Sequence, residues 1–403
     1  MSKLPELDFR YIFLIGLLLF LPGLEALKNL CALFFVLSWL YVAWNNKYWG
    51  GKWRVIDSIF LLWILSAIIV SVNAIVTHQL PGDNFRDILR FVLIAWVLSR
   101  TNFSKEKLVE SAFISIIAVT CTLAYGYIAG NGELKELYSV GHINHTAIFL
   151  LISYSISISL LLFNFENLKK IQKFILVLTT VILFISIVDT NSRAAFGLLI
   201  LITIIDFVYF LKAQSYSFKI IFMIMFPFLG ILLIFNPPEA LQRIQAQETI
   251  LDDDNRTKIR AFSYYAFKTN PYLGVGFGNF SKIEMDDIAP LIIKDKGFFD
   301  GGVYLKSAHA HNVYYTYLTS GGILIFSIFI WFWFYIVWII TKINKSAENE
   351  WIVISSISVV MINLLIGIVN TTLHHEHAIM SMFVLGLLVS KYRMSQLRNE
   401  LIM

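Results

Sequence analysis

His309, His311 and Asn312 stand where a polar segment runs into a tyrosine-rich and then apolar stretch, between Ser307 and Gly322. Imidazoles titrate near neutral pH, so the pair suits proton transfer or metal ligation. A neighbouring amide can orient a ring or a polar substrate. Two further runs sit at similar boundaries: His142, Asn144 and His145 before one apolar stretch, and His374, His375 and His377 before another. Zinc takes three or four such ligands, but the only carboxylate close to these runs is Glu376. No metal is expected, because a histidine base needs none.

Arginine supplies the second chemistry. Arg193 lies in Asp189-Thr-Asn-Ser-Arg-Ala-Ala at the mouth of an apolar run, and Arg256 and Arg260 lie one helical turn apart after Asp252 to Asp254. Read singly, Arg193 is an anchor to lipid phosphate or a partner of Asp189, and the other two are solvated partners of the aspartates. Read together they form a guanidinium cluster. Such clusters fit diphosphates, since each planar fork grips two oxygens. Gly274, Gly276 and Gly278 resemble a nucleotide loop in composition, yet no strand and helix alternation surrounds them. A tight turn that brings backbone amides toward the site is the expected use.

These residues need elements to hold them, and composition says which. Of 403 residues 58% are hydrophobic and 15% charged, which describes a chain whose main solvent is a bilayer. The net charge of +5 is too weak to imply a nucleic-acid partner. Cys31 and Cys121, both in apolar stretches, support neither disulfide nor cysteine–metal chemistry. The polar start up to Arg10 runs into an apolar segment without a small-residue cleavage pattern, so it reads as a retained first span.

Apolar runs predict about twelve transmembrane helices, near 10–22, 27–44, 55–76, 86–99, 108–129, 143–163, 173–189, 193–211, 219–236, 320–341, 351–370 and 376–390. Basic residues occupy every second connection, from Lys47, Lys52 and Arg54 to Lys391, Arg393 and Arg398. The positive-inside rule then places both termini in the cytoplasm. Three regions follow: spans one to nine over 1–236, one long outer loop over 237–319, and spans ten to twelve with a cytoplasmic tail over 320–403. Within the loop, Glu239 to Gln245 reads as a short amphipathic helix and Arg256 to Thr269 as a second, broken by Asn270-Pro271. The loop should form a small helical cap over an all-α polytopic bundle.

Three segments taken together resemble the O-antigen ligase and Wzy polymerase superfamily. They are the Ser192-Arg193-Ala-Ala helix end, the Arg256 helix leading to Asn270-Pro-Tyr-Leu-Gly-Val-Gly276, and His311-Asn312 before an apolar helix that opens through Gly321-Gly322. Arg260 departs from the pattern, standing where relatives often carry an aromatic residue. The resemblance implies a GT-C-type glycosyltransferase of the bacterial inner membrane whose active site faces the periplasm. It implies an undecaprenyl-diphosphate-linked polysaccharide as donor, lipid A-core as acceptor and no cofactor. On that pattern Arg193 and Arg256 bind diphosphate and His311 is the base. Asn312, Arg260, His309, Asn144 and His145 are candidate substrate contacts. A ligase is favoured over a polymerase because the twelve-span layout has a single long outer loop. A flippase for lipid-linked sugar would need charged or broken spans at mid-membrane, and few such residues occur.

Overall fold

The computed structural model describes residues 8–82, 85–130, 136–137, 139–213, 254–343 and 349–402. Thirteen α-helices carry nearly all of them. They are α1 (Phe9–Phe20), α2 (Glu25–Asn45), α3 (Val55–His78), α4 (Phe85–Ser99), α5 (Lys105–Ala129), α6 (Ile143–Phe163), α7 (Lys170–Asp189), α8 (Arg193–Ala213), α9 (Asp254–Thr269), α10 (Met285–Lys296), α11 (Val313–Lys342), α12 (Glu350–Leu365) and α13 (His375–Ile402). No strand forms among the described residues. Nine of the helices are long and apolar enough to cross a membrane, whereas α1 and α4 are shorter. The chain is an all-α polytopic membrane protein. The expected ninth span, 219–236, and the expected helix from Glu239 to Gln245 lie outside the described residues.

Helix α6 is the axis of the bundle, packed by α5, α7, α8, α12 and α13. Its sequence is apolar on every face, as a helix surrounded by others must be. Beyond its polar first turn, Ser153, Ser155, Ser157 and Ser159 are the exceptions beside Tyr154, all buried. The first two return their hydroxyls to the helix, at Phe149 (2.9 Å) and Ile152 (2.8 Å), and Ser157 meets Thr180 of α7 at 2.6 Å. Small hydroxyl residues let helices approach closely where lipid removes any hydrophobic drive between them. A second seam joins α3 to α11 through rings: Trp63 lies 5.2 Å from Phe332 and 6.1 Å from Tyr317. Each such pair contributes about 0.5–1.5 kcal/mol beyond simple packing.

Residues 254–312 form the cap, with its own apolar centre around Phe262, Tyr265, Phe280, Ile288 and Tyr304. It is fastened to the bundle by backbone. Val275 and Gly276 donate to the carbonyls of Thr319 and Ser320 (3.0 and 2.9 Å), and Ile323 and Leu324 donate back to Pro271 and Tyr272 (2.8 and 3.3 Å). The exchange is possible because α11 breaks at Gly322, whose φ is +63°. A Cβ there would stand 2.3 Å from the Tyr272 backbone, and one at Gly274 would stand 2.5 Å from Ser320. The glycine segment therefore differs from expectation: its amides at 275 and 276 are spent on the clasp and are not offered to a ligand.

Candidate active site

The residues singled out by type converge on one end of the bundle. Between α7 and α8 the chain reverses in three residues. Thr190 caps the departing helix, donating to Ile187 (2.7 Å), and Asn191 takes a left-handed φ of +51°. Ser192 then donates to the Thr190 hydroxyl at 3.4 Å, and α8 starts at Arg193 itself. Arg256 is equally early in α9, and Asn144 is in the first turn of α6.

Those three helix starts line one cavity of about 330 Å³, together with Thr190, Asn191, Ser192 and Asn370. Two half-buried guanidinium groups and three asparagines face it, and no carboxylate does among the described residues. A helix start presents the positive end of the dipole, although at α6 the Asn144 N–H is already taken by His142 Nδ1 at 3.2 Å. Three of them beside two arginines make a site for an anion with several oxygens. Arg260 stays outside this lining; its Nε–H donates to the Arg256 carbonyl at 3.4 Å.

Next to the arginines lies a histidine cluster that uses seven of the eight histidines in the chain. His145 stacks on His377 at 5.2 Å and lies 6.0 Å from His374 and 6.5 Å from His142. His309 meets His311 edge-on at 5.4 Å. His145, His309 and His374 line a small cavity of about 70 Å³ with Thr316, Ser320 and Thr371. His374 is forced to stay neutral: burial is the main cause, and the fields of His375 and His145 add to it, so its pKa falls well below the imidazole range.

His311 is held by strain and by a cap. Its φ is +45°, a conformation that costs a non-glycine residue about 1–3 kcal/mol and must be enforced by its surroundings. Asn312 enforces it. Its Oδ1 accepts from the Tyr315 N–H (3.0 Å), starting α11, and its Nδ2 donates to the Ile368 carbonyl (2.8 Å). Both ends of the amide are thus taken by the fold. Leu373 (φ +53°) and His375 (φ +47°) show the same left-handed conformation. Residues of that kind concentrate where function over-determines the backbone.

Asp87, His374 and His375 are the described group whose ligand atoms come within 4.8 Å of one another, close enough for a metal ion. Asp87 also accepts from Arg90 at 2.8 Å and lies 3.5 Å from His375 Nδ1. The histidine pair 309 and 311 is not part of that group. The sequence does not single out Asp87 or Asn370, which are ordinary polar residues near helix ends. Only the tertiary contacts mark them.

Comparison with known families gives a match over part of the chain. Residues 178–330 match the family described as O-antigen ligase (Wzy_C). The matched segment holds Arg193, Arg256, Arg260, His309, His311 and Asn312, and leaves Asn144, His145 and the 374–377 run outside it. No curated protein matches the chain.

Proposed function

We propose that the chain is an O-antigen ligase: an inverting membrane glycosyltransferase that moves a polysaccharide from undecaprenyl diphosphate to lipid A-core. The histidine end of the bundle would face the periplasm, with both termini in the cytoplasm. The observation that carries the reading is the convergence of Arg193 and Arg256 on one cavity beside the histidine cluster.

The chemistry needs two things from the protein. The acceptor hydroxyl attacks the anomeric carbon, its proton passes to the imidazole of His311, and the bond from that carbon to the diphosphate oxygen breaks. The diphosphate leaves with the electron pair, and Arg193, Arg256 and the three helix starts hold the charge that develops on it. One displacement inverts the anomeric carbon. Asn144 contacts the diphosphate or the first sugar, and His145 and His309 border the acceptor. Asn312 positions His311, and Arg260 backs Arg256. No step calls for a metal, so transfer should continue in excess chelator. Apolar helix surfaces receive the polyprenyl tail.

Deleting the gene and resolving lipopolysaccharide on a gel tests the assignment. Unsubstituted core with accumulating lipid-linked polymer is expected. Core bearing a single repeat would make the enzyme a polymerase, and unchanged surface polysaccharide would remove both. In the same assay His311→Ala should lower transfer by roughly 10²–10⁴, the usual worth of a positioned base, at an unchanged level of protein in the membrane.

A further inference from the structure

The opposite end of the bundle carries a second charged site that the transfer reaction does not use. Asp87, beside His375, is in the first turn of α4 and Arg100 follows its last residue, about 20 Å away along the helix axis. There Asp57 is completely buried. Its Oδ1 lies 2.8 Å from Arg100 Nε, 2.6 Å from Arg393 Nη2 and 2.7 Å from Trp96 Nε1. Two buried guanidinium groups share one carboxylate, so one positive charge is left in excess. Arg100 Nη2 and Arg393 Nε are buried without a hydrogen-bond partner among the described residues.

Both arginines line a cavity of about 170 Å³ together with Asn46, Tyr48, Asn102 and Arg10, the last paired with Asp8 at 2.9 Å. Arg100 and Trp39 are shared with a neighbouring apolar groove of about 510 Å³, whose other large side chains are Trp49, Trp53 and Trp96. The Arg100 guanidinium lies 5.4 Å from the Trp53 ring centroid, a cation–π contact that ties head site to groove. Tryptophans gathered beside basic residues mark the level of lipid headgroups.

We propose that this pair of cavities binds one anionic glycerophospholipid, with its phosphate on Arg100 and Arg393 and an acyl chain along the tryptophan groove. The occupant follows from complementarity. The excess charge asks for an anion, and the adjoining apolar groove asks for a tail on the same molecule. A free phosphate would leave the groove uncovered, and a neutral lipid would leave the charge uncompensated.

Tryptophan fluorescence tests this in the full-length protein. The chain is placed in phosphatidylcholine vesicles containing a minor fraction of either phosphatidylglycerol or phosphatidylcholine with the same brominated tails. The brominated anionic lipid should quench with about fivefold higher apparent affinity, the effect of one basic charge near an anionic surface. Arg393→Lys, which retains a charge for Asp57, should narrow that preference, and so should Arg10→Gln, which lies outside the Asp57 cluster. Trp53→Phe should remove part of the quenched signal. Equal quenching by both lipids would reduce the groove to ordinary bilayer contact and overturn the proposal. So would full displacement by soluble glycerol phosphate, which would mean a head site alone. Absence of quenching by either would mean that protein covers the groove.

Discussion

The two ends of this bundle hold arginine in opposite ways. At one, Arg100 and Arg393 are buried around the carboxylate of Asp57, which also takes Trp96 and the Arg54 backbone N–H. At the other, Arg193 and Arg256 line an open cavity with asparagines, a serine and a threonine, and the nearby histidines are packed against one another. The first arrangement joins α3, α4 and α13 into one unit. The second sets Arg193 and Arg256 in the wall of a cavity that a ligand can enter. Charge is thus gathered into the bundle where a buried carboxylate holds two arginines, with its excess turned to a neighbouring cavity, and spread along a cavity wall where helix starts converge.

The strongest way to break this contrast is to remove the answering carboxylate. Asp57→Asn strands two buried guanidinium groups and should cost about 3–5 kcal/mol of stability, read as a lower melting temperature in detergent. Arg256→Ala should do the reverse, lowering transfer by roughly 10²–10³ while melting stays where it was. Arg256→Lys should recover only part of the transfer, since an ammonium cannot grip two oxygens as a fork does. A melting shift in Arg256→Ala as large as that of Asp57→Asn would erase the distinction between the two ends.

The contrast was only half visible in the sequence. Spans were legible because twenty-residue apolar runs have few other uses, and α3, α4 and α6 begin within a residue of the expected positions. Helix α11 begins at Val313, seven residues before the expected 320, because the Asn312 cap starts a helix through polar Tyr, Thr and Ser residues that hydropathy discounts. Likewise α13 continues to Ile402 past the expected 390, since a polar tail can remain helical after leaving the apolar core. In the site, residue types pointed to arginine and histidine, and the family resemblance supplied their roles. That Arg193 and Arg256 share a cavity depends on where the cap docks. The docking rests on a backbone clasp at Gly274 and Gly322, which no side-chain pattern announces. Asp57 carried no signal at all, being one aspartate near the start of an apolar run.

Acid sharpens the comparison from the histidine side. His374 has its pKa depressed by burial, while an unfolded histidine titrates near 6.5. The unfolded state therefore binds the proton more readily below that pH, so the stabilising contribution is complete above about 6.5 and is lost as pH falls. The loss can reach roughly 1.4 kcal/mol per pH unit for one such group. Melting temperature should decline between pH 7 and 5, and His374→Gln should flatten the decline. An unchanged slope in the variant would place the acid sensitivity elsewhere.

The smallest effect separates two asparagines of the same end. Asn312→Ala removes the cap of α11 and the bond to Ile368, which should cost about 1–2 kcal/mol in melting and relax the backbone that holds His311. Asn312→Ser keeps a capping oxygen and should recover much of the stability. Asn144→Ala opens only the cavity wall, so it should weaken donor use by roughly tenfold through loss of one hydrogen bond to a charged group, leaving melting unchanged. If Asn144→Ala lowered melting as Asn312→Ala does, the cavity would be held together by its own lining. It would then belong with the Asp57 cluster as a structural device, and its arginines would no longer stand apart from those at the opposite end.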